Sequence, residues 1–219
     1  MLHQLPKPSS DSVVIVGSGP SLTNFDFDKL DGFETIVANT AVFYVNNPTH
    51  FVTVDYTFFS ARGYSIHDVN KRVDSSFFIV PPIVDVLPNG NYIHTEFNLE
   101  YSDLVHFDHI LKSSESIKVL PFEMSTDDLL VSDSGTATLQ IATLMGYKNI
   151  YMIGFDLRMP GCFFNRVESI TSEQTKHRNS LISYVKEYNK RSEEFNIHVV
   201  DGLNTFHDDD DEIHSFKLF

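Results

Sequence analysis

The sequence predicts an α/β fold, a Rossmann-like, mostly parallel sheet of about seven strands with helices on both faces. Three observations predict it. Short β-branched runs alternate with helix-like stretches along the chain, the order of strand–helix–strand units. The first run, Val13–Val16, is apolar at every position, as in a strand buried on both faces. That run stops at Gly17-Ser18-Gly19-Pro20-Ser21, where a strand hands over to a helix start.

Taken in order, the expected strands are Val13–Val16, Thr35–Ala38, Phe51–Val54, Phe77–Val80, Ile117–Leu120, Ile150–Ile153 and Ile197–Val200. The fourth is stopped by Pro81 and Pro82, which cannot donate to a sheet ladder. One helix is expected from Asp133 or Ser134 to Met145, with Gly146 as its stop and Ala137, Ile141 and Leu144 on one face. A second is expected from Thr171, capped with Gln174, to about Glu194. On it His177, Leu181, Tyr184, Val185 and Tyr188 form one stripe at helical spacing. Residues 89–132 are the least legible and read as a lid or irregular insertion. Residues 205–219 read as an acidic tail, with the run Asp208-Asp209-Asp210-Asp211-Glu212 as its solvated centre. The whole, residues 1–219, is read as one domain.

Composition narrows the function classes. The apolar share of 42% is ordinary for a globular chain. Nineteen Phe and nine Tyr with no Trp suit thick sheet packing, and also aromatic walls for a ligand. The formal net charge is −14 and the cations are scattered, so a polymeric nucleic acid is not an expected partner. A small anionic ligand is compatible with that charge, because backbone amides and a few local cations suffice to hold it. The first eleven residues, MLHQLPKPSSD, lack the apolar run of a signal peptide. No stretch reaches the roughly 20 apolar residues of a membrane span. The single cysteine, Cys162, excludes an internal disulfide. Together these features give a cytoplasmic protein as the expectation.

The strongest local signal is VVIV-GSGPSL, Val13 to Leu22. Glycines after a buried strand let backbone approach a ligand, and the amides of a helix starting at Pro20 favour an anion. The expectation is that phosphates sit on Gly17, Ser18, Gly19, Pro20 and Ser21, with the two serines adding hydroxyl donors. A plain strand-to-helix turn would use the same residues. A dinucleotide fingerprint is absent: its third glycine falls at Leu22, and the second strand ends at Asn39 rather than an acid. No Gly-Lys-Ser/Thr follows, so a P-loop is absent as well.

Asn39 and Asp55 follow the second and third expected strands, at the edge where open parallel sheets bind ligands. Both can hydrogen-bond a ribose or base, although short polar residues also end strands for structural reasons. Ser132-Asp133-Ser134-Gly135 offers a second helix start, with Ser134 and Gly135 suited to another anionic group. Gly154-Phe155-Asp156 ends the sixth strand, and Asp156 can meet a sugar hydroxyl, bind a metal or act as a cap.

His177 lies about two turns into its helix, on the inward stripe with Leu181. A helix start disfavours the charged imidazole, which keeps it neutral and able to accept a proton. A histidine satisfied at the rim of the core fits the same position. Lys176, Arg178 and Arg166 flank the region, as solvated charges or as partners for a phosphate. His207 and His214 in the acidic tail are weaker candidates for a divalent cation. Cys162 has no clear partner that would make it a nucleophile.

GSGPSL near the start and SDSGTATLQIATLMGYKNIYMIGFDL, Ser132 to Leu157, resemble the bacterial sialyltransferases of glycosyltransferase family 42. They resemble equally the related 6-hydroxymethylpterin pyrophosphokinase-like domain family. The first resemblance implies a cytidine nucleotide-sugar donor held at Gly17, Ser18, Gly19, Ser134 and Gly135, with Asn39 and Asp55 after the strands. It implies that His177 is the general base. The tyrosines that steady the leaving phosphate in that family are replaced here by Leu157, Arg158, Cys162 and Phe163. Arg158 would supply positive charge in their place. Two further departures are Ser18 and Asp55 where that family has asparagine, and Asp55 is closer to the pterin branch.

The expected function is a transferase using a nucleotide-activated sugar, with His177 acting on the acceptor hydroxyl and no cofactor required. The expected partners are a nucleotide or nucleotide sugar, CMP type first, and a small-molecule or glycan acceptor, with an oligomer left open. The alternatives are an ATP- and Mg2+-dependent diphosphokinase, with Asp55 and Asp156 as metal carboxylates, and a non-catalytic nucleotide-binding protein.

Overall fold

The computed structural model describes residues 5–54, 63, 65–80, 85–86, 92–93, 107–112, 133–156, 181–182, 185–186, 190 and 194–200. Among them, seven strands form one all-parallel sheet in the order β7-β4-β3-β2-β1-β8-β9. The strands are β1 (Ser12–Val16), β2 (Thr35–Ala38), β3 (His50–Thr53), β4 (Ser75–Val80), β7 (His109–Lys112), β8 (Asn149–Ile153) and β9 (Asn196–Val200). A separate antiparallel pair joins β5 (Asp85–Val86) to β6 (Tyr92–Ile93).

Six of the expected strands lie in this sheet, within one or two residues of their expected bounds. The seventh is His109–Lys112, inside the stretch read as a lid. It pairs with β4 through Phe77 and His109, and it forms one edge of the sheet. The expected strand Ile117–Leu120 lies outside the described residues.

Burial on both faces explains the unbroken apolar run of β1. Val13 and Ile15 join one apolar cluster, with Ile36, Val52 and Phe77. Val14 and Val16 join the other, with Val37, Phe51 and Phe78. The first cluster lies under the Ser134–Met145 helix, together with Leu181 and Val185. The second lies under the short helices Pro20–Asn24, Phe27–Leu30, Asn39–Phe43 and Ile66–Asn70. Leu181 and Val185 are both buried, as the expected inward stripe requires, and most of the expected Thr171–Glu194 helix lies outside the described residues.

The Ser134–Met145 helix corrects one expectation. A single buried face was expected, but every residue from Ser134 to Ala142 is buried. Its Ala137, Leu139, Ile141 and Ala142 share one apolar cluster with sheet residues and with Leu181 and Val185. Asp133 caps its start by accepting from the Thr136 amide at 2.9 Å, while Gly146, at φ 97°, ends it in the left-handed region. No helix among the described residues is long and apolar enough to cross a membrane.

At the amino ends of the strands, His50 is buried and its Nδ1 lies 2.7 Å from the Ser75 hydroxyl. Burial lowers its pKa; Glu34 and Asp74 act to raise it, and His109 to lower it further. The unfolded chain therefore binds a proton near pH 6.5 that the folded chain resists. Stability should be fully present above that pH and fall as the pH drops below it, by at most about 1.4 kcal/mol per unit from this group. Thermal melts between pH 7 and 5 test this, and His50→Gln should flatten that part of the curve. An unchanged slope in the variant would remove His50 as its source.

Candidate functional site

The strand order reverses between β1 and β8. From β1 the chain builds outward through β2, β3, β4 and β7, then returns to place β8 and β9 on the opposite side. The crevice past the carboxyl ends of strands at such a reversal is where open α/β sheets bind ligands. Gly17–Ser21 follows β1, Asn39 follows β2, and Gly154–Asp156 follows β8, so these segments share that edge. The start of the Ser134–Met145 helix reaches the same place, because the Ser134 hydroxyl lies 3.3 Å from Asn39 Oδ1. Two segments 95 residues apart in sequence are thus brought together.

The first turn is pinned to the end of β8. Gly17 N–H donates to the Ile153 carbonyl at 2.8 Å, and Gly19 N–H donates to the Gly154 carbonyl at 2.7 Å. Ser21 N–H donates to the Asp156 carboxylate at 2.6 Å. Leu22 N–H turns back to the Gly19 carbonyl at 3.1 Å. Pro20 has no amide proton to offer.

This changes the reason for the glycines. They were expected to expose amides to a phosphate, yet the amides of Gly17, Gly19 and Ser21 all meet β8 or its following loop. A Cβ on Gly17 would lie 2.5 Å from the Gly154 carbonyl oxygen and 3.1 Å from the Phe155 ring. A Cβ on Gly19 would overlap the Asp156 carboxylate and lie 2.6 Å from the Gly154 oxygen. Glycine is required here for close approach of two backbone segments. The helix expected at Pro20 is a five-residue 3-10 turn, Pro20–Asn24, whose first free amide is held by Asp156. Of the turn residues, Ser18 and Ser21 are half-buried and the other three are buried.

Phe155, which the sequence reading passed over, explains a second glycine. A Cβ on Gly135 would lie 2.9 Å from the Phe155 ring. The same ring therefore packs between Gly17 and Gly135, the glycines of the two motifs. Gly154 itself has φ 70°, and a Cβ there would lie 2.5 Å from Leu22 Cδ1. The missed signal was a large aromatic between Gly154 and Asp156, which demands small partners on both sides.

Asn39 takes a left-handed backbone, φ 49°, which asparagine tolerates better than most residues. Its Oδ1 accepts from the Thr53 hydroxyl at 2.7 Å and from Ser134 at 3.3 Å. Thr53, at the end of β3, is a supporting residue that the sequence reading also missed. Asp55, Arg158 and His177 lie outside the described residues, as do Cys162, Arg166, Lys176, Arg178, His207 and His214. Among the described residues, no group of three or more His, Cys, Asp or Glu is gathered to hold a metal ion.

No family model and no curated protein matches the chain. Solved structures do. One is described as the sialyltransferase CST-II in complex with a trisaccharide acceptor and CMP; it is 18% identical, with a TM-score of 0.51. The match covers 89% of this chain and 82% of that one. Another, the sialyltransferase CstII from Campylobacter jejuni with the substrate analogue CMP-3FNeuAc, is 17% identical over the same shares, also with a TM-score of 0.51. At that identity the likeness shows a shared fold.

Proposed function

We propose that the chain is a glycosyltransferase that takes a CMP-linked sugar and transfers the sugar to a hydroxyl of a glycan or small-molecule acceptor in the cytoplasm. The observation that carries this reading is the meeting of Asn39 and Ser134 at the carboxyl edge of the sheet, beside the β1/β8 reversal. The shared fold supports it, since the two solved neighbours are described with CMP or a CMP-sugar analogue bound.

In this reading the nucleotide occupies the crevice outside β1, β2 and β8. Thr53 and Ser134 hold the Asn39 oxygen, so the carboxamide NH2 is the end offered to a ligand acceptor. Ser134 and Gly135 bring the start of a 12-residue helix to the phosphate, and Ser18 adds a hydroxyl. Gly17, Gly19, Pro20, Ser21 and Asp156 shape the floor rather than supply free donors. Asp55 adds a hydrogen-bonding group beyond β3.

Chemistry then needs two groups. His177 removes the proton from the acceptor hydroxyl as that oxygen attacks the anomeric carbon and the bond to the CMP phosphate breaks. Arg158 balances the charge that gathers on the departing phosphate. This displacement needs no metal, unlike phosphoryl transfer from ATP, which ordinarily uses magnesium. The test is incubation with CMP-linked sugars and an oligosaccharide acceptor in excess EDTA, with free CMP as the readout. Release that depends on acceptor supports the reading. Activity seen only with ATP and magnesium would replace it with the diphosphokinase.

A further inference from the structure

Two hydroxyls converge on the Asn39 carboxamide oxygen, and they do not hold it equally. The Thr53 hydroxyl donates at 2.7 Å, the usual length for such a bond, whereas the Ser134 hydroxyl lies at 3.3 Å, beyond the ordinary range. The meeting with Thr53 is set by the sheet. β2 and β3 run parallel with Ala38 beside Val52, so the next residues, Asn39 and Thr53, fall side by side at the carboxyl edge. Thr53 has no exposed surface and pairs with Phe78 of β4, which makes it a fixed point. Asn39 is the opposite: half-buried, past the end of its strand, and in the left-handed region at φ 49°. A residue outside its favoured backbone region stays there when its surroundings hold it. Among the described residues nothing accepts from the Asn39 NH2, which is left for the crevice.

We propose that Thr53 is a positioning residue: it fixes the Asn39 carboxamide for the nucleotide, so that the Ser134 hydroxyl can turn to the same ligand without releasing Asn39. This rests on the reading of the crevice as a nucleotide site. The last torsion of an asparagine side chain is broad, so an unanchored carboxamide samples many directions. One short hydrogen bond to a buried strand end selects a single direction before the ligand arrives. The ordering cost is then met in folding and not in binding, which is the source of affinity in a preorganised site. Valine would fill the same space and suit a strand equally well, but it carries no hydroxyl to anchor Asn39.

The test is calorimetric titration of CMP in excess EDTA on wild type, Thr53→Val, Thr53→Ser, Asn39→Ala and the double variant Asn39→Ala/Thr53→Val, with melts confirming that each is folded. Thr53→Val should weaken CMP binding about five- to tenfold, the loss of one hydrogen bond. Thr53→Ser keeps a hydroxyl and should stay within about twofold of wild type. Once Asn39 is truncated, Thr53 has nothing to position. The double variant should therefore bind CMP within about twofold of Asn39→Ala alone. A buried threonine that served packing alone would cost the same factor on both backgrounds, and that additivity would overturn the proposal. A folded Thr53→Val that binds CMP as wild type does would overturn it too. Thr53→Ala is the second way to delete the hydroxyl if Thr53→Val does not fold; failure of both to fold makes Thr53 a structural residue and overturns the assignment. If wild type binds no CMP, the nucleotide reading itself falls and takes this inference with it. CMP binding that is indifferent to Thr53 overturns this inference alone.

Discussion

Gly19→Ala is expected to destabilise the protein by about 2–4 kcal/mol, because the new methyl group has nowhere to go. Its Cβ would meet the Asp156 carboxylate and the Gly154 carbonyl oxygen, the latter at 2.6 Å. A flexible side-chain tip can swing away, but Gly154 is backbone, tied by its carbonyl to Gly19 N–H at 2.7 Å. Relief therefore requires the turn to part from β8, which breaks the bonds at Gly17, Gly19 and Ser21 together. For a domain of this size the melting temperature should drop by roughly 5–15 °C. Gly32→Ala is the informative control. Gly32, unlike Gly19, has a positive φ, 88°, but no atom lies within 4 Å of the Cβ position. It should cost only about 1 kcal/mol of backbone strain. Equal melting temperatures for the two variants would mean that the packing of the turn on β8 is wrong.

The largest effect on activity is expected at His177. Removing a general base costs on the order of 10²–10⁴ in rate. His177→Ala should therefore lower acceptor-dependent CMP release by that factor while leaving CMP affinity within about threefold, since the proposed mechanism sets His177 against the acceptor rather than the nucleotide. Steady-state kinetics beside a CMP titration separate the two quantities. Full turnover in the variant would remove His177 from the mechanism. A parallel loss of CMP affinity would instead place it in nucleotide binding.

Much of the sheet was legible because strands buried on both faces write themselves as unbroken apolar runs. Val13–Val16 and Thr35–Ala38 needed no knowledge of their neighbours. His109–Lys112 was not legible for the opposite reason: this edge strand, His-Ile-Leu-Lys, holds only two adjacent apolar residues and shows neither an unbroken apolar run nor an alternation. The helix ending at Gly146 was read from its stop signal, but the burial of every residue from Ser134 to Ala142 was not, because packing by distant segments leaves no local mark. At the site, the glycines were legible as close-approach positions, and Asn39 and Ser134 as residues at the carboxyl edge of the sheet. What the glycines approach was not. Phe155 and Asp156 fill the spaces beside Gly17, Gly19 and Gly135 from the far side of the β1/β8 pairing, and no spacing along the chain encodes that. The expected phosphate cradle and the observed capped turn have the same local sequence; they differ only in where Asp156 ends up.

The central claim is that the crevice at the β1/β8 reversal holds a cytidine nucleotide through Asn39 and Ser134. The most direct test is calorimetric titration of CMP into wild type and Asn39→Ala in excess EDTA, with melts confirming that both are folded. The account predicts one CMP per chain without added metal, and at least about tenfold weaker binding in the variant, the usual cost of losing a well-placed hydrogen bond in a desolvated site. Absence of CMP binding in wild type, or binding that is unchanged in folded Asn39→Ala, would contradict it.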